Sequence, residues 1–335
     1  MPWLDERTLG LRGLIAVGAR PGLGKTAWLS QLGLNAVRHN GDAIFVLVSL
    51  EMSRDSLYAR LVCNQAGVDW KTLVLGSPSL RGNPNGPWFT PEDNARIVEA
   101  NAALAGSGLG SRVFILDQEA LGPDFTAQTV LAHVEQAKAA TQKTRALIGI
   151  DYLQLLPAPD LIDLEADRHR VQFLKDLLAG TRTAANPAGD CVFVISEMRK
   201  PSGTKNWQGG QLADFMGSAR LPYALDAAFL FRRLEGGGGE AHSFDWSAVG
   251  VPSPSEEAFA QAEVAPILLE LVKGRDGFTQ GSVALAFEYT RSRFTEVPRL
   301  PGHGASAHHP AAGATPFPPP NGLPAPLAPE IDYEF

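Results

Sequence analysis

Short apolar runs alternate with stretches of helical spacing along most of the chain, and this alternation predicts an α/β fold. The apolar runs are nearly continuous, which is typical of parallel strands buried on both faces. Strands are predicted at residues 14–17, 43–49, 112–116, 146–150, 191–196 and 227–232. Helices are predicted at 26–38, 53–66, 91–105, 126–141 and 166–184. The sequence therefore predicts a mainly parallel sheet covered by helices on both faces.

The last third of the chain follows a different pattern. Two apolar runs, 266–273 and 281–289, have no helical pattern between them and predict an antiparallel hairpin at an edge of the sheet. Residues 235–262 begin with a glycine run and continue with Ser, Pro and Glu, which predicts a mobile insertion. Residues 298–335 are rich in Pro, Ala and Gly and predict a disordered tail. We therefore expect one domain over residues 1–297, followed by this tail.

A glycine-rich loop lies between the first predicted strand and the first predicted helix. It reads Ala19-Arg20-Pro21-Gly22-Leu23-Gly24-Lys25-Thr26. Gly22 and Gly24 allow successive N–H groups to turn toward a phosphate, and the helix N-terminus adds its dipole. Lys25 can reach the β- and γ-phosphates, and the Thr26 hydroxyl can bind Mg²⁺. Although Ala19 replaces the first glycine of the strict pattern, the strand–loop–helix context favours a phosphate-binding P-loop over an ordinary turn. The chain is expected to bind a nucleoside triphosphate with Mg²⁺.

Two acidic residues follow predicted strands. Asp151 follows the run 146–150, and Glu51 follows 43–49. Side chains in these positions lie at the carboxyl edge of a parallel sheet, where open α/β folds bind ligands. There Asp151 can hold Mg²⁺ through water, and Glu51 can accept a proton from an attacking water molecule. The alternatives are an aspartate that caps the next turn and a glutamate that favours a helix start.

Five motifs together carry a family resemblance. In chain order they are ARPGLGKT, SLEMS, IDYLQLL, VFVISE and KGRDG. Over about residues 13–295, their order and spacing resemble the RecA-like motor domain of DnaB-type replicative helicases. The resemblance implies a RecA-like P-loop fold and ATP hydrolysis, with Glu51 as the catalytic glutamate and Asp151 as the Walker B acid. Ala19 is common at that position in the family.

The same resemblance assigns a role to the end of the domain. Lys273 and Arg275 match the basic pair that such helicases insert into the ATP site of the neighbouring subunit. A guanidinium there stabilises the negative charge that develops on the γ-phosphate. The alternative is a solvated hairpin turn that carries charges. If the resemblance holds, hydrolysis takes place at subunit interfaces of a hexameric ring.

The chain departs from the family at several positions. Glu197, expected beside the γ-phosphate, stands where the family usually has glutamine, and Met216 stands where an arginine commonly contacts the DNA backbone. The segment after Asp151 is expected to be a loop, and it is acidic, with Asp160, Asp163, Glu165 and Asp167. Residues expected to contact nucleic acid are Arg199, Lys200, Lys205, Trp207, Gly217, Ser218 and Arg220. A basic loop with one aromatic residue suits backbone contact and base stacking, and the alternative is a plain surface loop.

Composition limits the remaining possibilities. The net charge of −7 indicates that any contact with nucleic acid is local. Neither a membrane-spanning run nor a signal peptide is evident, so a cytoplasmic location is expected. The P-loop begins early, so the family's N-terminal domain and linker helix are expected to be missing, which makes ring formation less secure. The final residues Tyr333, Glu334 and Phe335 suit docking to a replication protein, and the alternative is an incidental end to a disordered tail.

Two functions remain open from the sequence. The first is an ATP-dependent helicase or translocase that acts on single-stranded DNA in replication. The second is a RecA-like ATPase without unwinding activity, such as an assembly factor, a helicase loader or a nucleotide switch. Both use ATP and Mg²⁺.

Overall fold

A computed structural model describes residues 2–8, 10–70, 73, 90–106, 108–158, 161–184, 186–198, 212, 215, 221–275 and 277–301. The strands are β1 Gly13–Ala19, β2 Ala43–Ser49, β3 Val113–Asp117, β4 Arg145–Asp151, β5 Cys191–Glu197, β6 Ala227–Arg233, β7 Val264–Gly274, β8 Gly281–Glu288 and β9 Arg293–Val297. The helices are α1 Pro2–Thr8, α2 Lys25–His39, α3 Arg54–Ala66, α4 Pro91–Gly106, α5 Gln118–Leu121, α6 Ala127–Thr141, α7 Asp163–Gly180, α8 Leu221–Ala224 and α9 Glu256–Gln261.

These strands form one sheet in the order β3-β2-β4-β5-β1-β6-β7-β8-β9. Strands β1 to β6 pair in parallel, and β7, β8 and β9 extend the sheet in antiparallel fashion beside β6. The prediction of a mainly parallel sheet with a later antiparallel hairpin is confirmed. Strand β9 was not predicted, because its short polar-apolar run follows closely on the hairpin and resembles the start of the tail.

The central strands are buried on both faces, as their continuous apolar runs predict. Along β1, Leu14 and Ile15 are almost fully buried and belong to apolar cores on opposite faces of the sheet. On the Ile15 face, Trp28 of α2 packs edge-on against Phe193 of β5, with ring centroids 5.5 Å apart. This packing fixes α2, and with it the loop before α2, against the centre of the sheet.

Residues 235–262, for which composition predicts a mobile insertion, form a small apolar cluster of their own. The indole of Trp246 packs edge-on against Phe259 at 4.8 Å, and its Nε1 donates to the carbonyl of Ala241 at 2.8 Å. Helix α9 lies in this segment, and Ser255 caps it by accepting a hydrogen bond from the backbone N–H of Ala258. The structure thus gives the segment a folded core, because a few aromatic residues among the glycines and prolines pack on the outer strands.

The folded unit extends past residue 297, where composition places its end. The backbone N–H of Asp245 donates to the carbonyl of Pro298, and that of Leu300 donates to the carbonyl of Ser243. Residues 298–300 are therefore hydrogen-bonded to the segment around Trp246. The tail from residue 302 onward lies outside the described residues. No helix in the described part of the chain is both long and apolar enough to cross a membrane.

Candidate nucleotide-binding site

The glycine-rich loop joins the end of β1 to the start of α2, in the strand–loop–helix order that the sequence predicts. Gly22 and Gly24 have φ values of +82° and +78°, a region that residues with a Cβ rarely occupy. A Cβ at Gly24 would also lie 2.6 Å from ring atoms of Phe287, which stacks on Phe294. The backbone of the loop therefore requires glycine at position 24 for two independent reasons.

Lys25, the first residue of α2, folds back onto this loop. Its Nζ donates to the carbonyl of Ala19 at 2.9 Å and to the carbonyl of Arg20 at 3.0 Å. Burial lowers the pKa of Lys25, while the negative charges of Glu197, Asp151 and Glu51 oppose that shift. The ammonium group is thus held inside the loop by two carbonyls, at the position where a P-loop receives a phosphate.

Thr26 and Asp151 are joined directly, although 125 residues separate them in the chain. The Thr26 hydroxyl donates to Oδ2 of Asp151 at 2.6 Å. Asp151, the last residue of β4, is only 2% exposed. Burial raises the pKa of Asp151 to about 6, and the hydrogen bond from Thr26 opposes the increase.

This pair of oxygen ligands fits Mg²⁺. The ion is bound in nucleotide sites by one or two protein oxygens, with phosphate oxygens and waters completing its shell. Among the described residues, no group of three His, Cys, Asp or Glu side chains could hold a metal by itself. A hydroxyl and a carboxylate beside a phosphate-binding loop are therefore the donor set expected for a metal that arrives with its nucleotide.

Glu51 lies in the turn after β2 and is exposed. The backbone N–H of Leu50 donates to the carbonyl of Asp151 at 2.8 Å, which joins the ends of β2 and β4. Within the turn, the Ser49 hydroxyl donates to the carbonyl of Met52 at 2.6 Å. These bonds fix the backbone on both sides of Glu51, whose side chain has access to solvent and whose charge contributes to the raised pKa of Asp151.

Glu197 ends β5, next to the start of the glycine-rich loop. In the parallel pairing of β1 and β5, Glu197 lies opposite Ala19. Its backbone N–H donates to Oε1 of Gln154 at 3.3 Å, and Nε2 of Gln154 donates to the Ser196 hydroxyl at 3.1 Å. The structure thus brings Lys25, Thr26, Glu51, Asp151 and Glu197 to one edge of the sheet.

Two site residues were missed from the sequence. Gln154 lies within the IDYLQLL motif, which was a usable signal, and it ties the end of β5 to the segment after β4. Arg60 of α3 lines a small cavity together with Thr26, and its guanidinium lies 4.7 Å from the ring centroid of Trp70. Burial lowers the pKa of Arg60, and the charge of Glu51 opposes the shift. Nothing in the local pattern of α3 distinguishes Arg60 from a surface arginine.

Lys273 and Arg275 lie at the end of β7, beside the amino-terminal end of β6 and away from the carboxyl ends of the parallel strands where the P-loop lies. Lys273 Nζ donates to the carbonyls of Pro222 and Leu225, and Arg275 Nη2 donates to the carbonyl of Tyr223 at 3.1 Å. Burial lowers the pKa of Lys273, and the neighbouring charge of Arg275 lowers it further.

The register of the strands gives the scale of this separation. Gly274 pairs with Ala227, which pairs with Ile15, four residues before Ala19. Lys273 itself pairs with Ala228, which pairs with Ala16, so at roughly 3.3 Å per residue Lys273 lies about 10 Å and Gly274 about 13 Å along the strands from Ala19.

The predicted nucleic-acid contacts lie outside the described residues. They are Arg199, Lys200, Lys205, Trp207, Gly217, Ser218 and Arg220, and Met216 also lies there. Phe215, which lies in the same segment, is among the described residues. It forms an isolated antiparallel β-bridge with Met198 and is buried beside Gly18 of β1.

The acidic segment after Asp151 is partly helical, which corrects its interpretation as a loop. Helix α7 begins at Asp163, so Glu165 and Asp167 lie in its first turns, where acidic side chains favour the positive end of the helix dipole. Asp160 lies outside the described residues.

A phosphate-binding loop after β1, with one carboxylate in the turn after β2 and one at the end of β4 of a mainly parallel sheet, defines the class: a RecA-like P-loop NTPase domain. Residues 1–296 match the family described as DnaB-like helicase C terminal domain. The chain belongs to this family, and the resemblance drawn from the five motifs is confirmed.

Similar proteins support this family. The chain is 24% identical over 232 residues to the replicative DNA helicase DnaB of Geobacillus stearothermophilus, covering 68% of this chain and 45% of that protein. It is 26% identical over 262 residues to the replicative DNA helicase DnaB of Rickettsia felis, covering 72% and 48%. The chain therefore spans about half the length of the curated relatives it matches.

Solved structures show the same fold. One solved ATPase domain superposes with a TM-score of 0.62 at 21% identity and 89% coverage of both chains. A DnaB-like replicative helicase, solved in a study of its interactions with primase, gives a TM-score of 0.62 at 21% identity, covering 88% of this chain and 61% of that one. The predicted RecA-like fold is confirmed.

Proposed function

We propose that this chain is an ATP-driven motor that moves on single-stranded DNA in replication. The observation that carries the proposal is the convergence of Lys25, Thr26, Glu51 and Asp151 at the carboxyl edge of one sheet. This set supplies a phosphate-binding cation, a metal site and a carboxylate that reaches solvent. Family membership supports single-stranded DNA as the polymer on which the motor moves.

The residues divide the work of hydrolysis. Lys25 exchanges the carbonyls of Ala19 and Arg20 for the β- and γ-phosphates of ATP. Glu51 accepts the proton of the attacking water molecule, for which its solvent access suits it. Thr26 and, through water, Asp151 would hold Mg²⁺, and the ion would neutralise negative charge on the phosphates.

The same proposal requires a second subunit. Arg275 and Lys273 lie at the sheet edge away from their own P-loop, and this supports a role in the site of a neighbouring copy. A cation supplied in trans makes hydrolysis depend on assembly. We propose a ring of identical subunits, hexameric by analogy with the family, with ATP hydrolysed at each interface.

Contact with DNA rests on sequence alone. The basic loop with Arg199, Lys200, Lys205 and Trp207, and the segment with Gly217, Ser218 and Arg220, are proposed to contact the strand. The acidic-aromatic terminus at Tyr333 to Phe335 is proposed to bind another replication protein.

Steady-state ATPase assays with and without single-stranded DNA test the function. We expect DNA to stimulate ATP turnover at low salt and the stimulation to decline as salt rises, because phosphate contacts release counterions. A Lys25→Ala variant should lose turnover under both conditions. ATP turnover that depends on Lys25 but is the same with and without DNA would contradict the motor and support an ATPase that does not move on DNA.

A nucleotide switch without unwinding activity is the second candidate. Glu197 favours it, because a carboxylate opposite Ala19 places negative charge near the γ-phosphate and slows the response to ATP. Sizing the protein with ADP and with a non-hydrolysable ATP analogue, combined with the effect of DNA on ATP turnover, separates the two candidates. A switch predicts assembly that depends on the nucleotide together with ATP turnover that is the same with and without DNA.

A further inference from the structure

We propose that Glu197 sets the nucleotide preference of this site, lowering the affinity for ATP relative to ADP. The inference rests on the proposed nucleotide binding at the P-loop and extends it to the choice between triphosphate and diphosphate.

The position of Glu197 is fixed by the backbone. The register of β1 and β5 pairs it with Ala19, the last strand residue before the glycine-rich loop. Gln154 accepts a hydrogen bond from the Glu197 N–H and donates to the Ser196 hydroxyl, which in turn donates to the carbonyl of Glu197 at 3.2 Å. Glu197 is partly buried. Its backbone is therefore anchored at the entrance to the loop, which limits how far its carboxylate can move from the phosphate-binding groups.

The charge of Glu197 acts on the groups that are proposed to bind the phosphates. Among the charges that oppose the lowered pKa of Lys25, that of Glu197 is the largest, ahead of Asp151 and Glu51. The geometry agrees, because Nζ of Lys25 donates to the carbonyl of Ala19, the residue that pairs with Glu197. Glu197 thus shares one electrostatic environment with the ammonium that would hold the terminal phosphates.

A triphosphate and a diphosphate differ in this environment. The γ-phosphate brings additional negative charge toward Lys25 and therefore toward the Glu197 carboxylate, and like charges in a partly buried site repel. ADP ends at the β-phosphate and avoids the added repulsion. Glu197 also attracts the Lys25 ammonium, which competes with the γ-phosphate for it. Both effects weaken ATP binding more than ADP binding, so the product is retained relative to the substrate.

Binding of MgADP and of a non-hydrolysable MgATP analogue, measured by calorimetry on the full chain, tests the inference. Glu197→Gln removes the charge and keeps the shape, so the ratio of analogue affinity to ADP affinity should rise about tenfold. Glu197→Ala, a second charge-removing variant, should raise the ratio in the same direction. Glu197→Asp keeps the charge, so its ratio of analogue affinity to ADP affinity should stay nearer to that of the parent. Glu257→Gln, an exposed charge removal on α9, is the matched control and should leave the ratio unchanged.

The outcomes separate this inference from the proposed function. A ratio that stays within about twofold of the parent in both Glu197→Gln and Glu197→Ala would overturn the inference alone, provided that the parent binds nucleotide and Lys25→Ala does not. Failure of the parent to bind either nucleotide would overturn both.

Discussion

At the scale of single residues, the hydrogen bond from Thr26 to Asp151 is the contact that organises the proposed metal-binding part of the site. It joins the start of α2 to the end of β4 at 2.6 Å. Burial raises the pKa of Asp151 to about 6, so its charged form is costly without a positive partner. A bound cation favours that charged form, so binding of metal and nucleotide should stabilise this arrangement of the two residues.

Loss of the Thr26 hydroxyl tests this contact. Thr26→Val removes both the hydrogen bond to Asp151 and the proposed Mg²⁺ ligand, so ATP turnover should fall about a hundredfold. Thr26→Ser keeps the hydroxyl and serves as the matched control, with turnover close to that of the parent. Both are measured as steady-state ATPase rates over a Mg²⁺ titration. Near-parental turnover in the valine variant would show that the hydroxyl has no part in metal binding.

At the scale of elements, a buried ion pair joins α6 to the residue before β5, at the end of the strands away from the site. Nζ of Lys138 in α6 lies 2.6 Å from Oδ2 of Asp190, whose side chain is fully buried just before β5. Asp190 also accepts hydrogen bonds from the N–H of Ala146 in β4 and from Nδ2 of Asn186. One carboxylate therefore aligns β4 with β5 at the edge opposite the site. That alignment helps to fix where both strands end, at Asp151 and Glu197.

Removing the cation of this pair should destabilise the fold in a pH-dependent way. Burial raises the pKa of Asp190, and the hydrogen bond from Lys138 opposes the shift, so Lys138→Met raises it further. The free energy of unfolding should fall by about 3 kcal/mol at neutral pH, since a buried charge loses its partner.

The sign of the pH effect follows from this raised pKa. A carboxyl group with a folded-state pKa above its unfolded value contributes stability at low pH, and that stability is lost as pH rises through the folded pKa. The loss in Lys138→Met should therefore shrink between neutral pH and pH ~5. Urea unfolding at several pH values measures this loss in the free energy of unfolding. Lys175→Met, which replaces an exposed lysine of α7, is the control. A loss that does not change with pH would mean that Asp190 is not the group responsible.

At the scale of the whole molecule, the placement of two distant groups supports the proposed ring. The loop that receives phosphate and the basic pair that matches the family's trans-acting cations lie at opposite edges of the sheet. The carbonyls of Pro222, Tyr223 and Leu225 hold Lys273 and Arg275 in place there. An assembly in which copies face each other head to tail would bring each pair to the next loop, which is the geometry of a ring.

Mixed assemblies test this arrangement. Lys25→Ala and Arg275→Ala should each abolish ATP turnover, because each leaves every interface incomplete. In a mixture of equal parts, about a quarter of the interfaces would combine an intact P-loop with an intact Arg275, so turnover should recover to about that fraction. The mixed sample is assayed after subunit exchange, against each variant alone. No recovery, in a sample that sizing shows to be mixed, would contradict a role in trans.

Most of the secondary structure followed from the local pattern, and each exception has a physical cause. Strands β1 to β8 and helices α2, α3, α4, α6 and α7 were predicted close to their observed bounds, because apolar periodicity reports burial directly. Helix α7 starts earlier than predicted because its first turn is acidic rather than apolar. The segment around Trp246 looked structureless because its few aromatic residues are buried by packing on one another and on the outer strands, which the local sequence does not show.

The sequence by itself determined the local chemistry of this protein. Gly22, Gly24, Lys25 and Thr26 make a phosphate-binding loop wherever a strand precedes and a helix follows, since that geometry depends on neighbours in the chain. Tertiary structure decided which distant residues join the loop. The register of β1 with β5 brings Glu197 beside it, and the reversal of β7 carries Arg275 to the opposite edge. Strand order and register arise from pairing between residues far apart in the chain, which no local pattern encodes.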